Sequence, residues 1–347
     1  MTPRQEQRGA EHSANLQAGR DIVYHGLSAS EIREIALGVF KENFLELRGV
    51  AEEVALGRAE KITNEFLERL AVERPAALSN FQDPDIQRAL FAAQREYACS
   101  GDEDLGQVLV DLLIDRADRT MRDLQTLALN EAINAVPKLT DDQRRAIAAI
   151  FIARYTRFVG ALNLDAFYEL HVRRNMAAFA GDLPRKQSAY QHIEYVGAGT
   201  MQITNFALEA AFTNVTPGLF TRGLEREQIP DELAKTEVLD RLFVPCIRDT
   251  TRLQVAAIAV DDVPALAVAA GVPEAEDQLR NLLNTSLLTP DEVRDEVTAR
   301  VPELLSLFEA WNASPLPSMT LTTIGLAIGH AYWQRVTGAR AELGIWL

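Results

Sequence analysis

Ser28-Ala29-Ser30-Glu31-Ile32-Arg33-Glu34-Ile35-Ala36-Leu37 opens a stretch that runs to Arg74 with no proline until Pro75. Ser28 and Glu31 stand at capping-box spacing, which satisfies the first free N–H groups of a helix. Apolar residues follow at Ile32, Ile35, Ala36, Val39, Phe40, Leu47, Ala51, Val54, Ile62, Phe66 and Leu70. Steps of three and four dominate, so these residues line one helical face. The expectation is one very long N-terminal helix over 28–74, about 70 Å if unbroken at 1.5 Å per residue. Gly38, Gly49 and Gly57 are its weak points, because glycine is unfavourable inside a helix.

The rest of the composition agrees with helix packing. The 347 residues suffice for two domains. Hydrophobic residues make up 47% and the mean hydropathy is -0.08, enough to bury a sizeable core. Aromatic residues are only 7%, so Leu, Ala, Ile and Val must fill that core, and Ala and Leu favour helices. The net charge of -15 and pI near 4.9 repel nucleic acid and anionic membranes, so neither is an expected partner. The most apolar run, Leu253 to Val272, is broken by Asp261, Asp262 and Pro264 and falls short of a membrane span. Cys99 and Cys246 offer neither a disulfide framework nor metal spacing, and Met1 to His12 is too polar for a secretory signal. A cytoplasmic protein is expected.

Residues 1–26 read as an N-terminal arm, partly disordered, with a short strand or hairpin in Asn15-Leu16-Gln17-Ala18-Gly19-Arg20-Asp21-Ile22-Val23-Tyr24. Two short strands alone are marginal in water, so the arm needs a partner edge. Gln17, Arg20 and Asp21 are its candidate assembly residues. Residues 27–182 read as a helical domain and 183–347 as a mainly helical second domain with a small β element. Helices are expected from Asp83 to Ala98, Glu103 to Ala135, Gln143 to Val159 and Asp165 to Ala180. After Gly181-Asp182-Leu183-Pro184, Ile193 to Ile203 is the strand or hairpin candidate, with Gly197-Ala198-Gly199-Thr200 as its turn. Helices are expected again over Pro230–Phe243, Thr250–Val260, Pro273–Leu283, Pro290–Trp311 (split at Pro302) and Leu321–Val336. Gly325 and Gly329 are spaced for close contact with another helix and are further candidate assembly residues. The apolar Ile345, Trp346 and Leu347 are expected to be buried, pairing with the strand near Tyr195.

Chemistry-bearing residues are sparse. Asp111, Asp115 and Asp118 share a helix at steps of four and three, which would suit a divalent cation; a solvated face with Arg116 and Arg119 is the commoner meaning. His192 and Glu194 would share one face of a strand and place an imidazole beside a carboxylate, an arrangement more often structural than catalytic. Arg173, Arg174 and Arg185 lie in the most basic run and are candidates for an anionic ligand, set against the plainer role of cations at helix ends. His330, on an apolar helix, reads as a satisfied core or interface histidine. No catalytic residue, metal or cofactor is assigned.

Several strings carry a resemblance: Asn15 to Asp21; Ile35-Ala36-Leu37 with Val39-Phe40-Lys41 and Asn43-Phe44; Asp83-Pro84-Asp85 with Ala93 to Ala98; Leu109 to Arg116; Gln191 to Gly197; and Leu321-Thr322-Thr323-Ile324-Gly325 with Ile328-Gly329-His330 and Ile345-Trp346. Together they resemble an uncharacterised family of bacterial cytoplasmic proteins over nearly the whole chain. The resemblance implies no activity. Similar amide-and-glycine arms occur in bacterial proteins acting in conflict with phage, which implies a defence role by analogy.

The expectation is therefore a mainly α, non-enzymatic assembly or sensor protein. It would be a homo-oligomer, with an unidentified protein partner as a further expectation. The alternatives are a metal-dependent hydrolase or nuclease using Asp111 and Asp115 or His192 and Glu194, and an adaptor holding a phosphate-bearing ligand near Arg173, Arg174 and Arg185.

Overall fold

The computed structural model describes residues 27–43, 49–157 and 163–347, and it is mainly helical. The arm and its Gln17, Arg20 and Asp21 lie outside the described residues. The single long helix is not observed. Two helices stand in its place, α1 (Ala29–Asn43) and α2 (Val50–Glu73). Gly49, one of the three weak points, precedes α2 with φ +66° and ψ −137°, a conformation that ends helical geometry and that glycine adopts freely. The two helices pack on each other. Arg33 pairs with Glu60, and Phe40 is buried with Ala55 and Ala59.

Four further helices complete the first half. These are α3 (Pro84–Ser100), α4 (Glu103–Ala117), α5 (Leu124–Ala135) and α6 (Asp141–Tyr155). Capping fixes their ends. The Asp83 carboxylate accepts from the Asp85 N–H at 2.8 Å, and Asp102 accepts from the N–H groups of Asp104 and Leu105 at 3.0 and 3.1 Å. The helix expected over Glu103 to Ala135 is two. No Gly or Pro marks the break, but Asp123 accepts from the Thr126 N–H at 2.8 Å and so starts a new helix. The segment after residue 162 is helical too, with π geometry over Phe167–Met176.

The expected strand over Ile193 to Ile203 is shorter and starts later: Ile193–Tyr195 end a helix, α7 (Gln187–Tyr195), and the strand, β1, is confined to Gly199–Met201. Gly197, at φ +85°, follows the end of α7 instead of turning a hairpin. The chain then builds α8 (Thr236–Leu242), β2 (Phe243–Pro245), β3 (Leu253–Val255), α9 (Val263–Ala270) and α10 (Glu276–Thr285). The helix expected from Thr250 is absent among these. Asp249 accepts from both the N–H and the hydroxyl of Thr251, at 3.0 and 2.6 Å, and this turn joins β2 to β3 as an antiparallel hairpin. Next come α11 (Pro290–Arg300) and α12 (Leu304–Asn312), separated at Pro302 as expected. Then follow β4 (Met319–Leu321) and α13 (Thr323–Thr337), and a 3-10 turn over Leu343–Ile345 lies in the segment after them. β4 pairs antiparallel with β1, Thr200 opposite Thr320.

Packing divides the chain differently from 27–182 and 183–347. One core runs from Ile32 to Leu343 and draws on both halves, with α13 packed on α4, α5 and α6. A separate core spans Leu224 to Leu283. That unit enters and leaves through a narrow neck: the Arg222 N–H donates to the Ser286 carbonyl and the Leu288 N–H to the Phe220 carbonyl, each at 2.8 Å. It is tied to the main body by Arg248, which donates to Glu296 of α11 through Nε at 2.8 Å and Nη2 at 2.6 Å; the Tyr168 hydroxyl donates to the same carboxylate at 3.2 Å.

Gly325 and Gly329 do approach neighbours closely, within the same chain. A Cβ at Gly325 would lie 1.8 Å from the Ala198 carbonyl oxygen, and one at Gly329 would lie 2.8 Å from Phe151 Cβ.

Candidate functional site

Where α2, α4, α13 and the segment Ala339–Leu347 meet, ionisable groups converge. Asp111 and Asp115 lie one helical turn apart on α4, among the buried Val108, Leu112, Leu113 and Ile114. α2 brings Arg69, Glu73 and Arg74, and α13 brings His330 and Gln334. Arg340 and Glu342 follow after α13 ends at Gly338, whose φ of +68° turns the chain back across the site.

The pairings are specific. Asp111 Oδ1 lies 2.7 Å from Arg69 Nη2, and Arg69 Nε donates to Glu73 at 3.0 Å. Arg74 bridges Asp118 at 3.5 Å and Glu342 at 3.2 Å, and Arg340 reaches Glu73 at 3.8 Å. Asp111 Oδ2 is buried with no hydrogen-bond partner. His330 is 1% exposed, and its Nδ1 faces Asp115 Oδ2 at 3.6 Å. Its Nε2 lies 2.8 Å from the Ala341 carbonyl. A carbonyl only accepts, so Nε2 carries the proton and, in the neutral ring, Nδ1 turns its lone pair toward Asp115. The Gln334 amide lies 2.8 and 3.1 Å from the two ring nitrogens.

Burial sets the electrostatics. It pushes Asp115 up to about 7, with the charge of Asp111 adding and Arg74 opposing. It holds His330 down to about 4, against the raising effect of the hydrogen bond to Ala341. Asp111 is raised as well, by burial first, against the pull of Arg69. A neutral imidazole thus sits beside a carboxyl group that titrates near neutrality.

The sequence-derived ligand candidates are elsewhere and do not converge. Arg173 is exposed and donates to the Glu169 carboxylate at 3.3 Å and the Arg300 carbonyl at 3.0 Å. Arg174 and Arg185 are exposed. His192 and Glu194 stand on a helix, so they do not share the face a strand would give them. His192 Nδ1 lies 3.2 Å from the Gln143 side chain, whereas Glu194 accepts from the Met201 N–H at 3.0 Å. Among the described residues no group of three or more His, Cys, Asp and Glu is placed to hold a metal ion, and no helix is long and apolar enough to cross a membrane.

Sequence reasoning singled out Asp111, Asp115 and Asp118 but not their partner. The available signal was two polar pairs at four-residue spacing, Asp111 with Asp115 and His330 with Gln334, on helices otherwise apolar on most sides.

A family model matches residues 26–347, and the chain belongs to that family, an uncharacterised one. No curated protein and no solved structure matches the chain.

Proposed function

We propose that this chain is a non-enzymatic assembly or sensor protein of the cytoplasm, a homo-oligomer whose responsive element is the segment Ala339–Leu347. The observation that carries this reading is the seating of that segment directly over the Asp115–His330 pair, with the Ala341 carbonyl bonded to the imidazole at 2.8 Å. The charge state under the segment changes near neutral pH, so its grip answers to conditions a cell can vary. A bacterial defence role belongs to the same reading by analogy with proteins bearing similar arms.

Asp111 and Asp115 also serve the rival reading, a metal-dependent hydrolase or nuclease. Their enclosure by Arg69, His330 and the Ala339–Leu347 segment favours the first. The test is solution mass by light scattering between pH 5.5 and 8, on the full chain and on one lacking residues 1–24. The full chain should exceed a monomer, its mass should vary with pH, and arm deletion should lower mass or stability. A full-length monomer at micromolar concentration throughout this range would refute the proposal.

A further inference from the structure

Between α3 and α5 the surface opens into a cleft of about 140 Å³, lined by Arg88, Ala89 and Ala92 from the first helix and by Asn130, Glu131, Ile133 and Asn134 from the second. A water molecule needs about 10–15 Å³ of such space, so the cleft has room for a small organic molecule.

The base of the cleft is held by a buried cation. Arg116, 2% exposed, donates from Nε to Asn130 Oδ1 at 2.8 Å, from Nη2 to Asp85 Oδ2 at 2.7 Å and from Nη1 to the Arg119 carbonyl at 3.0 Å. The Asn130 amide donates to the same Asp85 oxygen at 2.7 Å. Asp85 Oδ1 in turn accepts from Arg88 Nη2 at 2.5 Å. This chain of charge-assisted bonds sets where the exposed Arg88 guanidinium stands.

The groups left over are opposite in sign. Among the described residues, Nε and Nη1 of Arg88 make no hydrogen bond, the Glu131 carboxylate has neither a hydrogen bond nor an ion pair, and the two side chains do not pair with each other. Asn134 spends its amide nitrogen on the Asn130 carbonyl at 2.9 Å, which leaves its Oδ1 as an acceptor. Ala89, Ala92 and Ile133 add no polar side-chain atom, and Ala89 and Ile133 are buried. A simple anion drawn to Arg88 would also meet Glu131, and a simple cation drawn to Glu131 would meet Arg88. A molecule with one charge of each sign suits both and is favoured over either ion.

We propose that this cleft binds a free α-amino acid with a short aliphatic side chain. The carboxylate lies on Arg88, the ammonium donates to Glu131 and Asn134 Oδ1, and the side chain rests on Ala89, Ala92 and Ile133. The site needs neither the N-terminal arm nor the segment after Gly338, so it stands apart from the assembly reading.

The test uses the full chain, with L-alanine and L-valine as probes. Binding is read by saturation-transfer NMR and calorimetry up to about 10 mM, a range that covers weak small-molecule sites. Propionate lacks the ammonium and ethylamine lacks the carboxylate; each should bind about tenfold more weakly than alanine, or worse. Arg88→Gln and Glu131→Gln should each weaken alanine by about tenfold or more at a little-changed melting temperature, since both side chains are exposed and Asp85 keeps Arg116 and Asn130. Ala92→Leu, which fills the apolar side, should reject valine more strongly than alanine. Propionate binding as well as alanine would reduce the cleft to an anion contact and overturn the proposal. Equal affinity in the parent and both charge variants would place the amino acid elsewhere and overturn it too, as would a folded chain that binds neither amino acid.

Discussion

Asp115 and His330, far apart in the sequence, face each other at 3.6 Å with their acid–base order inverted: the carboxyl is pushed up to about 7 and the imidazole held down to about 4. Coupled groups titrate as a pair. Between these values the folded pair holds one proton. Free Asp and His side chains also hold one between them from about 4 to 6.5, on the imidazole. Folding relocates this proton more than it adds or removes one, so the intact pair gives stability little pH dependence over that window.

Asp115→Asn should unmask the histidine. His330 alone has a folded value below its unfolded one, so its contribution to stability is present above about 6.5 and is lost as pH falls toward about 4. Chemical denaturation of this variant should show stability falling by up to about 3 kcal/mol from pH 7 to pH 4, more steeply than in the parent. Parallel curves for the two proteins would mean that folding does not raise Asp115 above its free value.

His330→Gln should do the opposite. Asp115 then stands alone with a folded value above its unfolded one, so its contribution is present below about 4 and lost as pH rises through about 7. A quarter of that side chain remains in solvent (24% exposed), which reduces the effect to about 2 kcal/mol. The same denaturation series checks the sign.

Gly325→Ala and Gly329→Ala should both lower the melting temperature, the first more. At Gly325 the new methyl meets a backbone carbonyl at 1.8 Å, which cannot step aside; at Gly329 it meets a Phe151 side chain at 2.8 Å. Overpacking of the second kind costs about 1–3 kcal/mol. Calorimetry ranks the two, and light scattering on the same samples separates a packing role from an assembly role: a fall in melting temperature with unchanged mass assigns the glycines to packing within the chain.

Arg248→Ala should loosen the Leu224–Leu283 unit without unfolding the rest. It leaves the Glu296 carboxylate, one fifth exposed, with Tyr168 as its remaining partner described above. Losing a half-buried charged hydrogen bond costs about 1.5–3 kcal/mol. Hydrogen exchange should quicken in α8, α9 and α10 and stay unchanged in α4 and α6.

The parts of this fold that the sequence announces are those set by near neighbours. Asp83 before Pro84, Asp102 after Gly101, and Gly338 after α13 act within one helical turn, and each marks a helix end. Pro302 divides α11 from α12 for the same local reason. Breaks made without Gly or Pro escape that reasoning. Between α4 and α5 the signal is only Asp123, which looks like any other aspartate until its bond to Thr126 is seen. Gly49 was visible as a weak point, but three glycines offered themselves, and Gly38 and Gly57 stay helical. The α7 residues His192 and Glu194 were misassigned because an apolar run beside glycines suits a strand as well as a short helix. The candidate site was half legible: the Asp111–Asp115 step is local, whereas its meeting with His330 depends on α13 packing against α4, and no local pattern encodes that.

Placing α13 among α4, α5 and α6 has a consequence for how the protein is made. The ribosome delivers those three helices long before the helix that fills the space between them. At roughly 5–20 residues per second, the interval between the end of α6 and the end of α13 is on the order of ten to forty seconds. Throughout it, Ile147, Ile150 and Phe151 have no α13 to cover them. The nascent chain therefore passes through a long period with an open apolar cleft, and its yield in cells should depend on the chaperones that wait at the exit tunnel more than its finished stability would suggest.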